Sequence, residues 1–466
     1  MASSLDPRFV IDGATAAQQE AVDSLAKQFL LTDEKLAVII KEFRRRMEEG
    51  LATDGKVLKM IPSYVSRRPT GNETGSYFAI DLGGTNMRVL RVELDGKGGV
   101  KTEHQRFTLT EEAKSRTLFD FIAQCVETFL DDRNLRPTGQ QPPVSMGFTF
   151  SYPVHQTSLS SGTLVQWTKG LNVPGCVGRD VVRLLQDALL RLGLRVKVVA
   201  LVNDTVGTLL SAAYTDPSSQ VGIILGTGTN AAYYEDVNNL TKWKGPSPAS
   251  GEMVLNIEWG AFDSDDFAFL PFTAHDIKLD RKSINPRKQA YEKMIAGMYL
   301  GEIARNAMLW MADQRLLLNG HSSEILNAMW SIDTSYLSSA VVDSSPDLAE
   351  IKQIIEKTLD VPNSTLVDRQ IFKAISTLVG ERSARLSAIG VVATLLKRPE
   401  ALNKPINIGI DGSMYEHYPH FEAILSETVS HFVSEDQFKN IRFSLAKDGS
   451  GVGAAIIAML ASETDS

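Results

Sequence analysis

The chain is poor in cysteine. Two residues in 466, Cys125 and Cys176, cannot build a disulfide framework, which excludes a cross-linked secreted scaffold. The opening stretch MASSLDPRFVIDGATAAQQE has neither a basic n-region nor an apolar h-region, so a reducing, cytoplasmic setting is expected. The sequons at Asn72, Asn239 and Asn363 would meet no glycosylation machinery there. No apolar run approaches the ~18 residues of a membrane span. Positive charge is not in excess either: 48 basic residues against 56 acidic ones give a net charge of −8, so no nucleic-acid partner is expected. Histidine is scarce, and His417 and His420 have no cysteine or carboxylate set to complete a metal shell.

What the chain has is length and a repeat. It is about three typical domain lengths long, enough for two domains or one duplicated fold. The stretch AIDLGGTNMRVLRV (79–92) places an acid, two glycines, a threonine and an asparagine directly after an apolar strand start. GIILGTGTNAAYY (222–234) repeats it, with Gly226, Gly228, Thr229 and Asn230 in the places of Leu82, Gly84, Thr85 and Asn86, an offset of 144 (230 − 86). Around the first copy the pattern reads as three strands, a helix (LFDFIAQCVETFLDD), a strand (PVSMGFTFSYP), a helix (RDVVRLLQDALLRLGL) and a strand (VKVVALVN). Around the second it reads as strands QVGIILGTG and NAAYYEDV, a long helical region over 287–318, strands INIGID and IRFSLA, and a last helix GAAIIAMLAS. A duplicated α/β fold follows. Ahead of both units, residues 14–50 read as two amphipathic helices, the second capped by Thr32. Residues 244–252 and 320–348 read as loop or irregular insertions.

A glycine-rich turn between strands exposes consecutive N–H groups and makes an anion-binding concavity without basic side chains. Two such turns related by a pseudo-twofold clamp the tail of a nucleotide triphosphate, and Asp81 is then placed to hold Mg²⁺ through water. The plainer alternative is a tight hairpin with Thr and Asn as turn residues, although hairpin chemistry does not require the same G-T-N triplet twice. Gly449-Ser450-Gly451-Val452-Gly453-Ala454 also matches the dinucleotide fingerprint G-x-G-x-x-A. That fingerprint needs a following strand with an acidic residue about 20 positions on, and Ser466 is reached first. Glycines that admit close packing of a last helix fit better.

The segments FAIDLGGTNMRV, GFTFSYPV, QWTKG, VVALVNDTVGTLL, GTGTNA, NIEWGAFD, YEKMIAGMYLGE, GIDGSMYEHYP and KDGSGVGAA resemble, in order and spacing, the eukaryotic hexokinase family. SYPVHQTSLSSGTLVQWTKG and AKDGSGVGAA look most like fungal glucokinases. The resemblance implies a duplicated actin-like ATPase (ribonuclease H-like) fold with small and large domains around a cleft: N-terminal helices over 1–64 packed on the large domain, a small domain over 65–203 completed by a helix at 448–466, and a large domain over 204–447. It implies ATP- and Mg²⁺-dependent phosphorylation of glucose at its 6-hydroxyl, the first step of glycolysis; a hexokinase with a broad hexose range is an alternative.

By the same resemblance Asp204 is the general base and Lys169 reaches both the sugar and the transferred phosphoryl group. Ser151, Thr168, Lys169, Asn203, Asp204, Asn230, Glu258 and Glu292 contact the sugar. Asp81, Gly83, Gly84, Thr85 and Asn86 form one phosphate turn, Gly226, Thr227, Gly228 and Thr229 a second, and Gly412 and Ser413 a third nucleotide turn; the metal falls to Asp81. Each residue also has an ordinary reading. Asn203-Asp204-Thr205 is a good helix N-cap, although a carboxylate at the carboxyl end of a sheet strand points into ligand crevices. Glu292 in a charge-rich helical stretch reads as solvated, Lys169 as a surface lysine, and GIDGS as a strand-ending turn. Glu258 lies between Ile257 and Trp259, where a carboxylate without a partner is costly to bury. The family's Phe after T-K-G is Leu171 here. Two other readings stay open: a catalytically inactive sugar sensor, and an actin- or chaperone-type ATPase that has no use for the sugar-contact set. A hexose kinase must also exclude water, so cleft closure on sugar binding is expected, hinged near 64–76, at 203–205 and before the last helix.

Overall fold

The computed structural model describes residues 6–83, 86–114, 118–167 and 171–463. Its strands are β1 (Ile61–Pro62), β2 (Thr74–Leu82), β3 (Asn86–Asp95), β4 (Val100–Thr108), β5 (Val144–Phe150), β6 (Val154–Ser158), β7 (Ser161–Leu164), β8 (Val196–Val202), β9 (Ser219–Leu225), β10 (Thr229–Asp236), β11 (Glu252–Asn256), β12 (Ile406–Asp411) and β13 (Ile441–Leu445). The helices that bear on the site are α1 (Ala16–Phe29), α2 (Asp33–Ala52), α3 (Leu118–Asp132), α4 (Val181–Arg191), α5 (Asp204–Thr215), α6 (Ala290–Ile295), α7 (Gly297–Asp313), α8 (Leu366–Leu395) and α9 (Gly449–Ser462).

One sheet has the order β4-β3-β2-β5-β8 and the other β1-β11-β10-β9-β12-β13. Each is built around an antiparallel hairpin, β2–β3 or β9–β10, whose first strand then pairs in parallel with β5 or β12. The repeated turn therefore marks a repeated sheet. The parallel strands β5, β8 and β12 are mostly buried, which is why VSMGFTF, VKVVALV and INIGI read as near-continuous apolar runs.

Each sheet ends in a helix that lies between the two. The helix α9 packs on β2, β5 and β8, α5 packs on β9, β10 and β12, and the two helices pack on each other. Their approach is so close that a Cβ on Gly453 would sit 1.8 Å from the carbonyl oxygen of Gly207, and one on Gly207 2.5 Å from that of Ser450. The glycines of GSGVGA thus serve helix packing. Around the crossing lies a core drawn from both halves, including Val65, Leu90, Val202, Leu210, Tyr234 and Ile456. The N-terminal helices form as their caps dictate: the Thr15 hydroxyl accepts from Gln18 N and the Thr32 hydroxyl from Lys35 N, and both helices rest on α8.

Two sequence expectations are corrected. The helical region 287–318 is not one element: α6 stops at Ile295, Ala296 is extended at ψ 146°, and α7 restarts at Gly297. The insertion 320–348 is only partly irregular, since Thr334–Val342 is a helix capped by Asp333.

Candidate active site

Strand register builds the first half of the site. Leu82 pairs with Phe150 across β2–β5, and Thr149 with Val202 across β5–β8, so Gly83, Ser151, Asn203 and Asp204 follow at one sheet edge, where crevices of parallel sheets open. At the strand-to-helix junction two polar residues compete for the cap, and Asn203 takes it. Its Oδ1 accepts from Thr205 N at 3.0 Å and Thr205 Oγ1 at 2.6 Å. Among the described residues Asp204 accepts only the adjacent Thr205 N–H, at 2.9 Å, and it is half-buried.

The first turn leaves β2 at Gly83, whose N–H is donated to Asn86 O at 3.0 Å, and Tyr152 Oη donates to Gly83 O at 3.1 Å. Asp81 faces Arg88 across the hairpin. Arg88 donates to Asp81 Oδ2 at 2.6 Å and also pairs with Asp448, while Ser450 Oγ donates to Asp81 at 3.0 Å. Asp411, at the end of β12, accepts Gly449 N at 3.1 Å, and burial pushes its carboxyl up to about 6. The ends of β2, β12 and α9 thereby converge on one acidic corner held by an arginine.

The second turn, Gly226 to Thr229, is braced from below. The break at Ala296 lets α7 turn its first N–H groups onto it: Gly297 N donates to Gly226 O at 2.8 Å and Met298 N to Thr227 O at 3.2 Å. Within the turn Gly226 N donates to Gly228 O at 3.0 Å and Thr229 N to Glu292 at 3.0 Å. The third turn abuts it, since a Cβ on Gly412, at φ 123°, would lie 2.3 Å from Leu225 O and 2.8 Å from Gly226 N.

The remaining predicted residues come together beside these turns. Glu292 is not a solvated helix charge: its carboxylate accepts Thr229 N at 3.0 Å. Glu258 adopts a left-handed conformation at φ 58°, an uncommon state for a side chain with a Cβ and one that clusters at functional sites. Its carboxylate accepts from Asn256 Nδ2 at 2.9 Å and Asn230 Nδ2 at 3.4 Å, so the carboxylate between buried Ile257 and Trp259 does have partners. The Trp259 indole donates to Thr229 Oγ1 at 2.9 Å, linking this segment to the second turn. Gly84, Thr85, Thr168 and Lys169 lie outside the described residues. Before them, Trp167 is anchored by its Nε1 on Val173 O at 3.0 Å. Sequence reasoning missed Arg88, Asn256, Asp411, Asp448 and Ser450. The cross-strand pairing of Asp81 with Arg88, implied by the hairpin's length, and the strand-ending acid of GIDGS were the available signals.

Duplicated sheets clasped through a glycine-to-glycine helix crossing are the architecture of the actin-like ATPase and sugar-kinase fold. Family models described as Hexokinase match residues 21–214 and 220–460. Hexokinase-2 of Candida albicans is 39% identical over 451 residues, covering 95% of this chain and 92% of the relative; Hexokinase-2 of Oryza sativa is 43% identical over 426 residues, covering 88% and 85%. Among solved structures, a hexokinase from Schistosoma mansoni complexed with glucose superposes with a TM-score of 0.85 at 36% identity, covering 96% of this chain and 99% of that one. The chain belongs to the hexokinase family, whose members transfer a phosphoryl group from ATP to a hexose.

Proposed function

We propose that this enzyme phosphorylates glucose at its 6-hydroxyl, with Asp204 as general base. The observation that carries the reading is the division of labour at the β8–α5 junction: Asn203 caps the helix, and among the described residues the Asp204 carboxylate accepts the neighbouring Thr205 amide alone. A sugar hydroxyl is a weak nucleophile, and a positioned base contributes on the order of 10²–10⁴-fold. Ser151, Thr168, Lys169, Asn203, Asn230, Glu258 and Glu292 grip the sugar hydroxyls, and Lys169 also neutralises charge on the transferred phosphoryl group. The turns at 83–86, 226–229 and 412–413 hold the nucleotide. The glucose complex of the Schistosoma mansoni hexokinase supports the choice of sugar.

The donor set also supports Mg²⁺ held through water at Asp81. Among the described residues no group of three or more His, Cys, Asp or Glu side chains makes a metal cage, and Asp81 already shares an oxygen with Arg88 and Ser450. That suits an ion that keeps its waters and takes its direct ligands from phosphate. Bound there, it would neutralise phosphate charge. In this reading 1–64 are N-terminal helices on the large lobe, 65–203 with 448–466 form the small lobe and 204–447 the large one. The lobes close on the sugar about hinges near 64–76, where Tyr64 stands at φ 63°, at 203–205 and before the last helix. No described helix is long and apolar enough to cross a membrane. Two buried free thiols at Cys125 and Cys176 support a cytoplasmic site of action.

A coupled assay of glucose-dependent ADP release tests the reading. Asp204→Ala is expected to lose at least about 10²-fold in turnover with glucose binding kept; undiminished turnover would overturn Asp204 as base. Small-angle scattering should show glucose-dependent compaction, and its absence counts against closure.

A further inference from the structure

The polar groups around Glu258 fix one another's orientation in a chain that starts from the backbone. Asn230 Oδ1 accepts from Ala231 N at 2.8 Å and Trp259 N at 3.3 Å. Both are obligate donors, so the oxygen must face them and the Nδ2 of Asn230 must face the other way, toward Asn256 and Glu258. A donor there requires an acceptor, and Asn256 supplies it through Oδ1 at 2.7 Å, an oxygen that also accepts Glu258 N at 3.3 Å. With its oxygen committed twice, Asn256 can turn only its Nδ2 to Glu258 Oε1. A side chain with a donor and an acceptor on one planar head is needed, and among the common residues of this size only asparagine has it. Asn256 is itself buried, 6% exposed, at the end of β11. Its side chain touches its two neighbours, Asn230 and Glu258, and acts through them.

We infer that Asn256 is a positioning residue of the sugar site: with its own amide oriented through Asn230, it holds the Glu258 carboxylate by one oxygen and presents the other. This rests on the sugar-site reading above. Its consequence is selective. Among the described residues the Asn256 side chain bonds Asn230 and Glu258 and none of the nucleotide turns, so its loss should weaken hexose binding while leaving the nucleotide's KM in place.

Steady-state kinetics on Asn256→Ala, Asn256→Asp, Glu258→Gln and the Asn256→Ala/Glu258→Gln pair test it. Loss of hydrogen bonds to a charged group predicts a rise of about 10-fold to 10²-fold in glucose KM for Asn256→Ala, with ATP KM within about twofold of the parent enzyme. Asn256→Asp keeps the shape and the acceptor but sets a carboxylate against Glu258. It should be at least as impaired as the alanine variant, whereas a residue that merely fills space would be rescued by its isostere. In the Glu258→Gln background the alanine change should cost less than it does alone. A glucose KM unchanged in a folded Asn256→Ala enzyme, rescue by Asn256→Asp, or simple multiplication of the two single effects would each overturn the inference. Should the alanine variant prove too unstable to assay, the isosteric Asn256→Asp decides. A Glu258→Gln enzyme with unchanged glucose KM would instead sink the sugar-site reading itself.

Discussion

The crossing of α5 and α9 yields a prediction in which two substitutions share one benefit and differ in one cost. Gly453→Ala and Gly451→Ala each replace a glycine in the first turn and a half of α9, which by helix propensity alone favours folding by up to about 1 kcal/mol. At Gly453 the new Cβ would stand 1.8 Å from Gly207 O and 2.3 Å from its carbonyl carbon, where real Cβ contacts essentially never fall below 3.0 Å. The obstacle is backbone of a packed helix, so no rotamer relieves it, and the helices must part by about 1.2 Å. Overpacking costs about 1–3 kcal/mol or more, and a rigid obstacle places this site at the upper end, for a net loss of about 2 kcal/mol. At Gly451 the nearest atoms are the Leu90 methyls, at 2.9 and 3.0 Å, which rotate aside, so cost and benefit nearly cancel. Urea midpoints read the difference: Gly453→Ala should fall clearly and Gly451→Ala stay within about 0.5 kcal/mol of the parent. Equal midpoints, or a stabilised Gly453→Ala, would refute the claim that the two halves meet glycine to glycine.

Other predictions follow from named contacts. Arg382 and Asp276 form an ion pair with both side chains buried, and removing either partner alone should cost about 3–5 kcal/mol by thermal or urea unfolding. Burial pushes the Asp276 carboxyl up, but the Arg382 guanidinium and the Thr273 hydrogen bonds hold it below the usual value. Its folded pKa is thus lower than the unfolded one, so it contributes stability above about pH 4 that is lost as pH falls through the folded value. An Asp276→Asn/Arg382→Met pair should therefore lose less stability between pH 5 and acid than the parent enzyme. On the proposed Mg²⁺ site, Asp81→Asn removes the facing charge and keeps the size; it should raise the Mg²⁺ concentration for half-maximal activity by about tenfold with glucose binding unchanged in a titration without nucleotide.

The sheets and turns were legible because their signals are local. The repeat of G-T-N, the apolar runs of buried parallel strands and the Thr15 and Thr32 caps each depend on a few adjacent residues. Where tertiary packing chose, the sequence was silent. It could not say whether Asn203 or Asp204 caps α5, since both are good caps and only the packed structure gives the cap to Asn203. Glu292 reads as a surface charge until Gln289, at φ 53°, starts the short helix α6 at an angle that presents Glu292 to Thr229. The helix α8 is buried around most of its circumference, so it carries no single apolar stripe to betray it. The fivefold corner of Asp81, Arg88, Asp411, Asp448 and Ser450 is assembled from three distant segments, and the conformation of Glu258 has no glycine to announce it. Asn256 lies two residues from a recognised site residue, yet its function depends on which way an amide faces, a property of the network alone.

A crystal structure with glucose and a non-hydrolysable ATP analogue tests the central claim most directly. The Asp204 carboxylate is predicted to lie within about 2.6–3.2 Å of the sugar 6-hydroxyl, with the γ-phosphate between the turns at 83–86 and 226–229. An Asp204 turned away from the hydroxymethyl group and bonded only to the amide of Thr205 would contradict it.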